Sequence, residues 1–245
     1  MPVQFLTPEQ RTSYGQYAGD PEENELTCYF YLDDTDRKMI HHKRGDHNRL
    51  GFALQLTTVR FLGTFLEDPF DVPDSVIRTL VRQLKIQSRP REWARYQMGE
   101  QRREHIAEIK KQYGFGDWED PLIGFRLSRW IYILCWTGTE RPGVLFDRAT
   151  SWLLANKVTL PGCTTLERFV ARLRGRVEER LWKKISQGIT EEQRINLEKL
   201  LTDSGDRSSR LDKLRTGPVR VSGPSLVKAI QRLEEVRRLG IKLPT

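Results

Sequence analysis

From Leu50 to Leu66 the chain reads LGFALQLTTVRFLGTFL, apolar almost throughout and carrying one charge, Arg60. On a helical wheel Leu50, Leu54, Phe61 and Phe65 share one side, while Phe52, Leu56, Val59 and Leu66 cover the others. A helix that is apolar on most sides is buried between neighbours, so this segment predicts the centre of a helical core. Gly51 and Gly63 leave room there for a close helix crossing, at some cost in helix propensity. Immediately before the run stand Lys43, Arg44, Asp46, His47, Asn48 and Arg49, a charged mouth where the core helix reaches the surface. A helix N-terminus presents unpaired N–H groups and the positive dipole end, which suits a phosphate. Asp46 capping the helix with the rest solvated is the other reading, and the residue types alone leave both open.

Most other segments also read as helix. Thr7, Pro8 and Gln10 spell a capping box with proline at the first helical position, and Thr190 with Gln193 repeats it. Further starts are expected at Asp46, at Asp74 or Ser75 after Pro73, at Thr164 or Thr165, and at Ser222 before Pro224. No stretch alternates apolar and polar residues well enough to predict a strand of more than a few residues. The expectation is an all-α fold of about ten helices. They would form two or more helical modules with helix-turn-helix-like elements. A boundary near 86–92 gives an N-terminal module over residues 1–88 and a basic module or modules over 89–245.

Charge separates these two parts. Residues 1–80 hold 8 Lys/Arg against 13 Asp/Glu, whereas 81–245 hold 33 against 20. A basic body of that size favours a polyanion, although solubility alone could also account for it. Cys28, Cys135 and Cys163 are far apart and odd in number, which argues against a disulfide framework or a zinc ribbon and suits a reducing cytoplasm. The N-terminus shows no signal-peptide pattern. The longest apolar run, WIYILCW at 130–136, is too short to span a bilayer.

Two stretches concentrate the basic residues. In TTLERFVARLRGRVEERLWKKISQ, an apolar face of Leu166, Phe169, Val170, Leu173, Val177 and Leu181 is flanked by a ridge of Arg168, Arg172, Arg176, Arg180 and Lys183. Glu167 and Glu178 are expected on the opposite flank. One-sided basicity of this kind fits a phosphate backbone, or equally a solvated helix face. Farther on, a short helix ending near Arg215 is followed by a turn with Gly217, Pro218 and Arg220, then by a helix starting at Ser222. Leu226, Ile230 and Leu233 are expected to be the buried stripe of that last helix, with Lys228 near its start. The layout is that of a helix-turn-helix reader with a turn longer than usual.

Catalytic signatures are not recognisable. His41, His42, His47 and His105 lack metal-ligand spacing, and RGD at 44–46 is a chance tripeptide at a helix start. Asp33, Asp34 and Asp36 lack the rest of an EF-hand loop and read as helix caps. No phosphate-binding glycine loop or nucleophile elbow is present, and nothing assembles a nucleophile with a base. No cofactor or metal is expected.

The runs FLTPEQR…YGQYAGDP, DHNRLGFALQLTTVRFLGTFLEDPFDVP, LPGCTTLERFVARLR and SRLDKLRTGPVRVSG resemble the N-terminal region of transposases of class II replicative transposons, the Tn-three type. The resemblance runs in order from about residue 3 to about residue 240. In MGEQRREHIAEI the chain keeps the His105, Glu108 and Ile109 of a family motif but departs from it over Met98 to Gln101. The resemblance implies a region that recognises terminal inverted repeats. It implies that catalysis resides in a separate, larger C-terminal part that binds magnesium, so that this region is not itself an enzyme.

The expected function is therefore sequence-specific binding of duplex DNA at transposon ends. The DNA-facing candidates are Arg44, His47, Asn48, Arg49, Arg172, Arg176, Lys183, Arg215, Arg220, Ser222 and Lys228. Partners would be double-stranded DNA and the rest of the transposase chain, with a homodimer left open and no membrane involved. The location would be the bacterial cytoplasm, in association with the nucleoid. The alternative is a helical interaction module that dimerises the transposase or docks on its catalytic core.

Overall fold

Local capping signals set the helix starts. In a computed structural model that describes residues 5–87, 96–97, 99–138, 140–201, 209–215, 217 and 222–240, Thr7 accepts from the Gln10 N–H at 3.2 Å. The Gln10 side chain accepts in return from the Thr7 N–H at 2.9 Å, opening α1 (Pro8–Ser13). The same reciprocal pair at Thr190 and Gln193 opens α10 (Glu191–Leu201). Ser222 caps α12 (Gly223–Arg238) through the Ser225 N–H. Between these lie α2 (Glu23–Tyr29), α3 (Asp34–His41), α4 (Asp46–Leu62), α5 (Asp74–Leu84), α6 (Gln101–Tyr113), α7 (Pro121–Thr137), α8 (Pro142–Ala155), α9 (Cys163–Gln187) and α11 (Arg210–Arg215). The fold is all-α. An isolated parallel bridge pairs Gly116 with Val158.

The chain divides into two compact units, Met1–Arg174 and Gly175–Thr245, with the division inside α9. Residues 88–95, around the boundary expected near 86–92, lie outside the described residues.

In the first unit α4 is the central element. Every residue from Leu50 to Val59 is buried, as all-round apolarity requires. Its polar members find partners: Thr57 donates to the Ala53 carbonyl at 2.9 Å, Thr58 meets the Tyr17 hydroxyl at 3.0 Å, and Gln55 donates to Tyr96. Helices α2, α3, α5 and α6 pack around it, placing Phe30, Leu32, Ile40, Val76, Leu80, Tyr96 and Ile109 in one core.

The single charge of the apolar run is matched by Asp36, which is almost wholly buried. Arg60 forks onto both carboxylate oxygens at 2.7 and 2.8 Å, and Tyr113 donates a third bond at 2.6 Å. The Asp33 N–H supplies a fourth bond at 3.1 Å, so the carboxylate also completes the cap of α3. Burial works to raise the Asp36 pKa, but the bonds from Arg60 and Tyr113 and the Arg60 charge outweigh it and hold the carboxyl below its usual range.

A second core joins Leu127 and Ile131 of α7, Leu145, Ala149 and Leu153 of α8, and Leu166 and Val170 of α9 to Leu6, Val158 and Leu160. The spacing sets Glu167 on the flank opposite the basic ridge without indicating burial. Glu167 is buried, accepting from the Phe5 and Leu6 N–H groups at 2.9 and 3.4 Å and from Arg11 at 2.5 Å. The carboxylate thus ties the N-terminal segment to the start of α9.

The two glycines of the apolar run have different tasks from the expected helix crossing. Gly63 is the left-handed C-cap of α4 (φ 74°), and its carbonyl accepts from Leu160 at 2.9 Å where the two cores meet. At Gly51 an added Cβ would lie 2.3 Å from the Tyr96 ring. Tyr96 cannot swing away easily, because its buried hydroxyl is bonded to Gln55 and to His105. Gly51→Ala gains up to ~1 kcal/mol of helix propensity, against a typical overpacking cost of ~1–3 kcal/mol. The expected result is a net loss of about 1–2 kcal/mol, read as a lowered urea midpoint. An unchanged or raised midpoint would show that the ring relocates freely.

In the second unit, α10 packs on α11. The apolar stripe of α12 departs from expectation. Leu226, Ile230 and Leu233 are 64%, 47% and 65% exposed, and Val227 and Val236 are exposed beside them. Amphipathicity identifies an apolar face without supplying a cover; the α11 residues Arg210, Lys213 and Leu214 instead face the charged side of α12 across a cleft lined by Lys228, Arg232 and Glu235. Among the described residues of this helix none is buried.

Candidate nucleic-acid interface

The mouth of α4 is held together by its own side chains. Gly45 is the N-cap, at φ 81°, and no side chain caps the helix. Asp46 therefore stands in the first turn, where it lies 3.6 Å from Arg49. Arg49 Nε donates to the Lys43 carbonyl at 3.1 Å, and Asn48 donates to the Arg44 carbonyl at 2.8 Å. Lys43 pairs with Glu108 of α6, and its ammonium sits 4.7 Å over the Phe52 ring. Arg44 is left exposed and His47 half-buried. Two of the four candidates here, Asn48 and Arg49, thus have donors occupied in closing the turn.

Behind the mouth, α6 supplies the residues of the His105–Glu108–Ile109 motif. Ile109 and His105 are buried while Glu108 reaches Lys43. The His105 ring stands edge-on to Phe52 at 5.1 Å between centroids, and its Nδ1 lies 2.9 Å from the Tyr96 hydroxyl. Gln55 donates to that hydroxyl, which in turn can donate to Nδ1; this chain of donors requires an unprotonated Nδ1. Burial, then the Lys43 charge, pushes His105 down to about 4, with Glu108 pulling partly the other way. The motif is accordingly a socket for α4, a role its spacing on one face of α6 does not announce.

Along α9 the basic residues meet solvent. Arg168 and Arg172, in the first unit, are exposed, as are Arg176, Arg180 and Lys183 in the second. Among the described residues Arg172, Arg176 and Lys183 are not paired with a carboxylate, in contrast to Lys43 and Arg49. Their donors are open to an external anion.

At the C-terminal end, Arg215 is exposed in the last turn of α11. Arg220 lies outside the described residues, as does most of the turn between α11 and α12. The Ser222 hydroxyl is engaged as the cap of α12, 2.9 Å from the Ser225 hydroxyl. Lys228 lines a cleft between α11 and α12 together with Arg210, Lys213 and Arg232, three cations that the sequence reading passed over. Their i, i+3 and i, i+4 spacings were visible, but nothing in them marks two separate helices as facing each other. Among the described residues no group of three or more His, Cys, Asp or Glu is arranged to hold a metal ion. No helix among them is long and apolar enough to cross a membrane.

Known proteins with similar sequences carry the same stretch. The chain is 46% identical over 241 residues to the transposase for transposon gamma-delta of Escherichia coli (strain K12), a match covering 98% of this chain and 24% of that protein. It is 30% identical over 244 residues to the transposase for transposon Tn1546 of Enterococcus faecium, with coverages of 98% and 24%. Against the transposase for transposon Tn501 of Pseudomonas aeruginosa it is 29% identical over 229 residues, covering 91% and 22%. The chain spans about a quarter (22–24%) of the length of these relatives. The family model described as "Domain of unknown function (DUF4158)" matches residues 5–173, ending one residue before the first compact unit closes at Arg174. On that match the chain belongs to the DUF4158 family, and almost all of it is similar to part of the transposases named above.

Proposed function

We propose that this chain is the part of a transposase that binds duplex DNA and recognises the terminal inverted repeats of its transposon. The observation that carries the reading is the exposed cations of α9, Arg176 and Lys183 in the second unit and Arg172 in the first, whose donors no carboxylate among the described residues engages. Duplex DNA presents one charge per ~1.7 Å of its axis, and exposed cations such as Arg176 and Lys183, two helical turns apart, suit such a polyanion. Arg44 and Arg215 add exposed charge, and the excess of 33 basic over 20 acidic residues beyond position 80 acts in the same direction. Proteins named as transposases match almost all of this chain, which makes transposon DNA the natural polyanion. In this reading the chain contributes recognition, strand cleavage and joining reside elsewhere in the transposase, and the work is done at the bacterial chromosome.

A second reading has its own observation. The exposed face of Leu226, Val227, Ile230, Leu233 and Val236 on α12 is the kind of surface a protein partner covers, be it a second copy or the rest of the transposase. The two readings separate in a nuclease footprint on an end of the cognate transposon. Terminal-repeat recognition gives protection confined to the repeat; a pure interaction module gives no protection at concentrations where it self-associates.

A further inference from the structure

The cleft between α11 and α12 lies wholly within the second unit and encloses about 500 Å³. Its walls carry Arg210 and Lys213 from α11 and Lys228 and Arg232 from α12, and Glu235 is the one carboxylate among the described lining residues. Lys228 and Arg232 are one helical turn apart, so their like charges repel along α12. An anion seated between the helices relieves that repulsion.

Glu235 is engaged with Arg210. Arg210 Nε lies 2.5 Å from Glu235 Oε1, yet that oxygen is buried without a well-aligned hydrogen-bond donor. The contact is a charge attraction lacking the directional bonds that make a guanidinium–carboxylate fork strong. A phosphate offers more acceptor oxygens and more charge, so it competes well for Arg210. The Arg210 side chain is 59% exposed, free enough to turn toward such a ligand. Base reading fits this arrangement poorly, because Lys228 points into a concave basic wall and the opposite face of α12 is apolar.

We propose that this cleft seats a backbone phosphate of duplex DNA, gripped by Arg210, Lys213, Lys228 and Arg232, with Glu235 holding Arg210 in place until the phosphate displaces it. The proposal rests on the reading of the chain as a DNA binder and adds a site to it. It assigns Lys228 to phosphate contact, and with it Arg210, Lys213 and Arg232.

The test titrates the 245-residue chain and its variants on terminal-repeat duplex and on scrambled duplex over a series of salt concentrations. Lys228→Ala with Arg232→Ala should lower the salt slope by about two on both duplexes, because two fewer counterions are released, and should leave the cognate-to-scrambled ratio unchanged. Glu235→Gln should tighten both duplexes several-fold. Lys213→Gln, which removes one charge, should lower the slope by about one and serves if the double variant fails to fold by circular dichroism. Unchanged slopes in folded variants overturn the phosphate seat, as does a loss confined to the cognate duplex. A wild-type chain that shows no preference between duplexes contradicts terminal-repeat recognition instead, while the slopes on scrambled DNA still decide the cleft.

Discussion

Arg60→Ala is expected to destabilise the chain by about 3–5 kcal/mol, the usual cost of leaving a buried charge without its partner. The substitution removes two of the four bonds to the Asp36 carboxylate and the guanidinium packed over the Tyr113 ring at 5.0 Å. Because 24% of the Arg60 side chain meets solvent, water can reach part of the gap, which favours the lower end of that range. For a body of this size the melting temperature should fall by about 2–4 °C for each kcal/mol. Arg60→Lys keeps the charge but loses the fork, so an intermediate loss is expected. The pH dependence has a definite sign. With the Asp36 carboxyl held below its usual range, the pair stabilises the fold above that range, and the contribution is lost as pH falls through the depressed value. Arg60→Ala should therefore show a flatter acid limb. A loss below about 1 kcal/mol, the level of a surface ion pair, would contradict this account of the α3–α4 contact.

The second large effect is carried by His105. Its folded pKa, pushed down to about 4, lies below the ordinary 6.5. Between those two values the unfolded chain binds a proton that the folded chain refuses, so stability falls as pH is lowered through the window. The loss from this group amounts to at most roughly 3 kcal/mol and is complete once pH drops below the folded value. His105→Gln lacks the titration. It should start from a lower stability at pH 7 and lose less of it between pH 6.5 and 4. Denaturation midpoints taken across that range check the difference in slope; parallel curves for the two proteins would show that His105 is protonated in the fold.

What could be read in the sequence was local. The capping pairs Thr7–Gln10 and Thr190–Gln193 and the Ser222 cap each involve residues three apart, and each forms. The all-round burial of α4 follows from residues within one helix. The contacts that determine how helices meet are of another kind. Arg60 and Asp36 are 24 positions apart, Lys43 and Glu108 are 65 apart, and Phe5 and Glu167 are 162 apart. In a chain of 41 basic and 33 acidic residues nothing local singles out those partners. The same limit explains α12, whose periodicity marked an apolar face while its surroundings left that face exposed. Of the candidate site, Arg172, Arg176 and Lys183 emerge exposed on the helix that their spacing indicated. At the mouth of α4, the turn geometry that occupies Asn48 and Arg49 depends on a Gly45 φ of 81° that residue types alone did not convey.

Terminal-repeat recognition is tested most directly by the affinity of the chain for its own transposon end relative to a scrambled duplex of equal length and composition. Fluorescence anisotropy at physiological salt, with both duplexes titrated under one set of conditions, supplies the ratio. Site-specific DNA-binding proteins prefer their sites by at least about a thousandfold, and a preference of that order is the result expected here. Equal affinity for the two duplexes would contradict it.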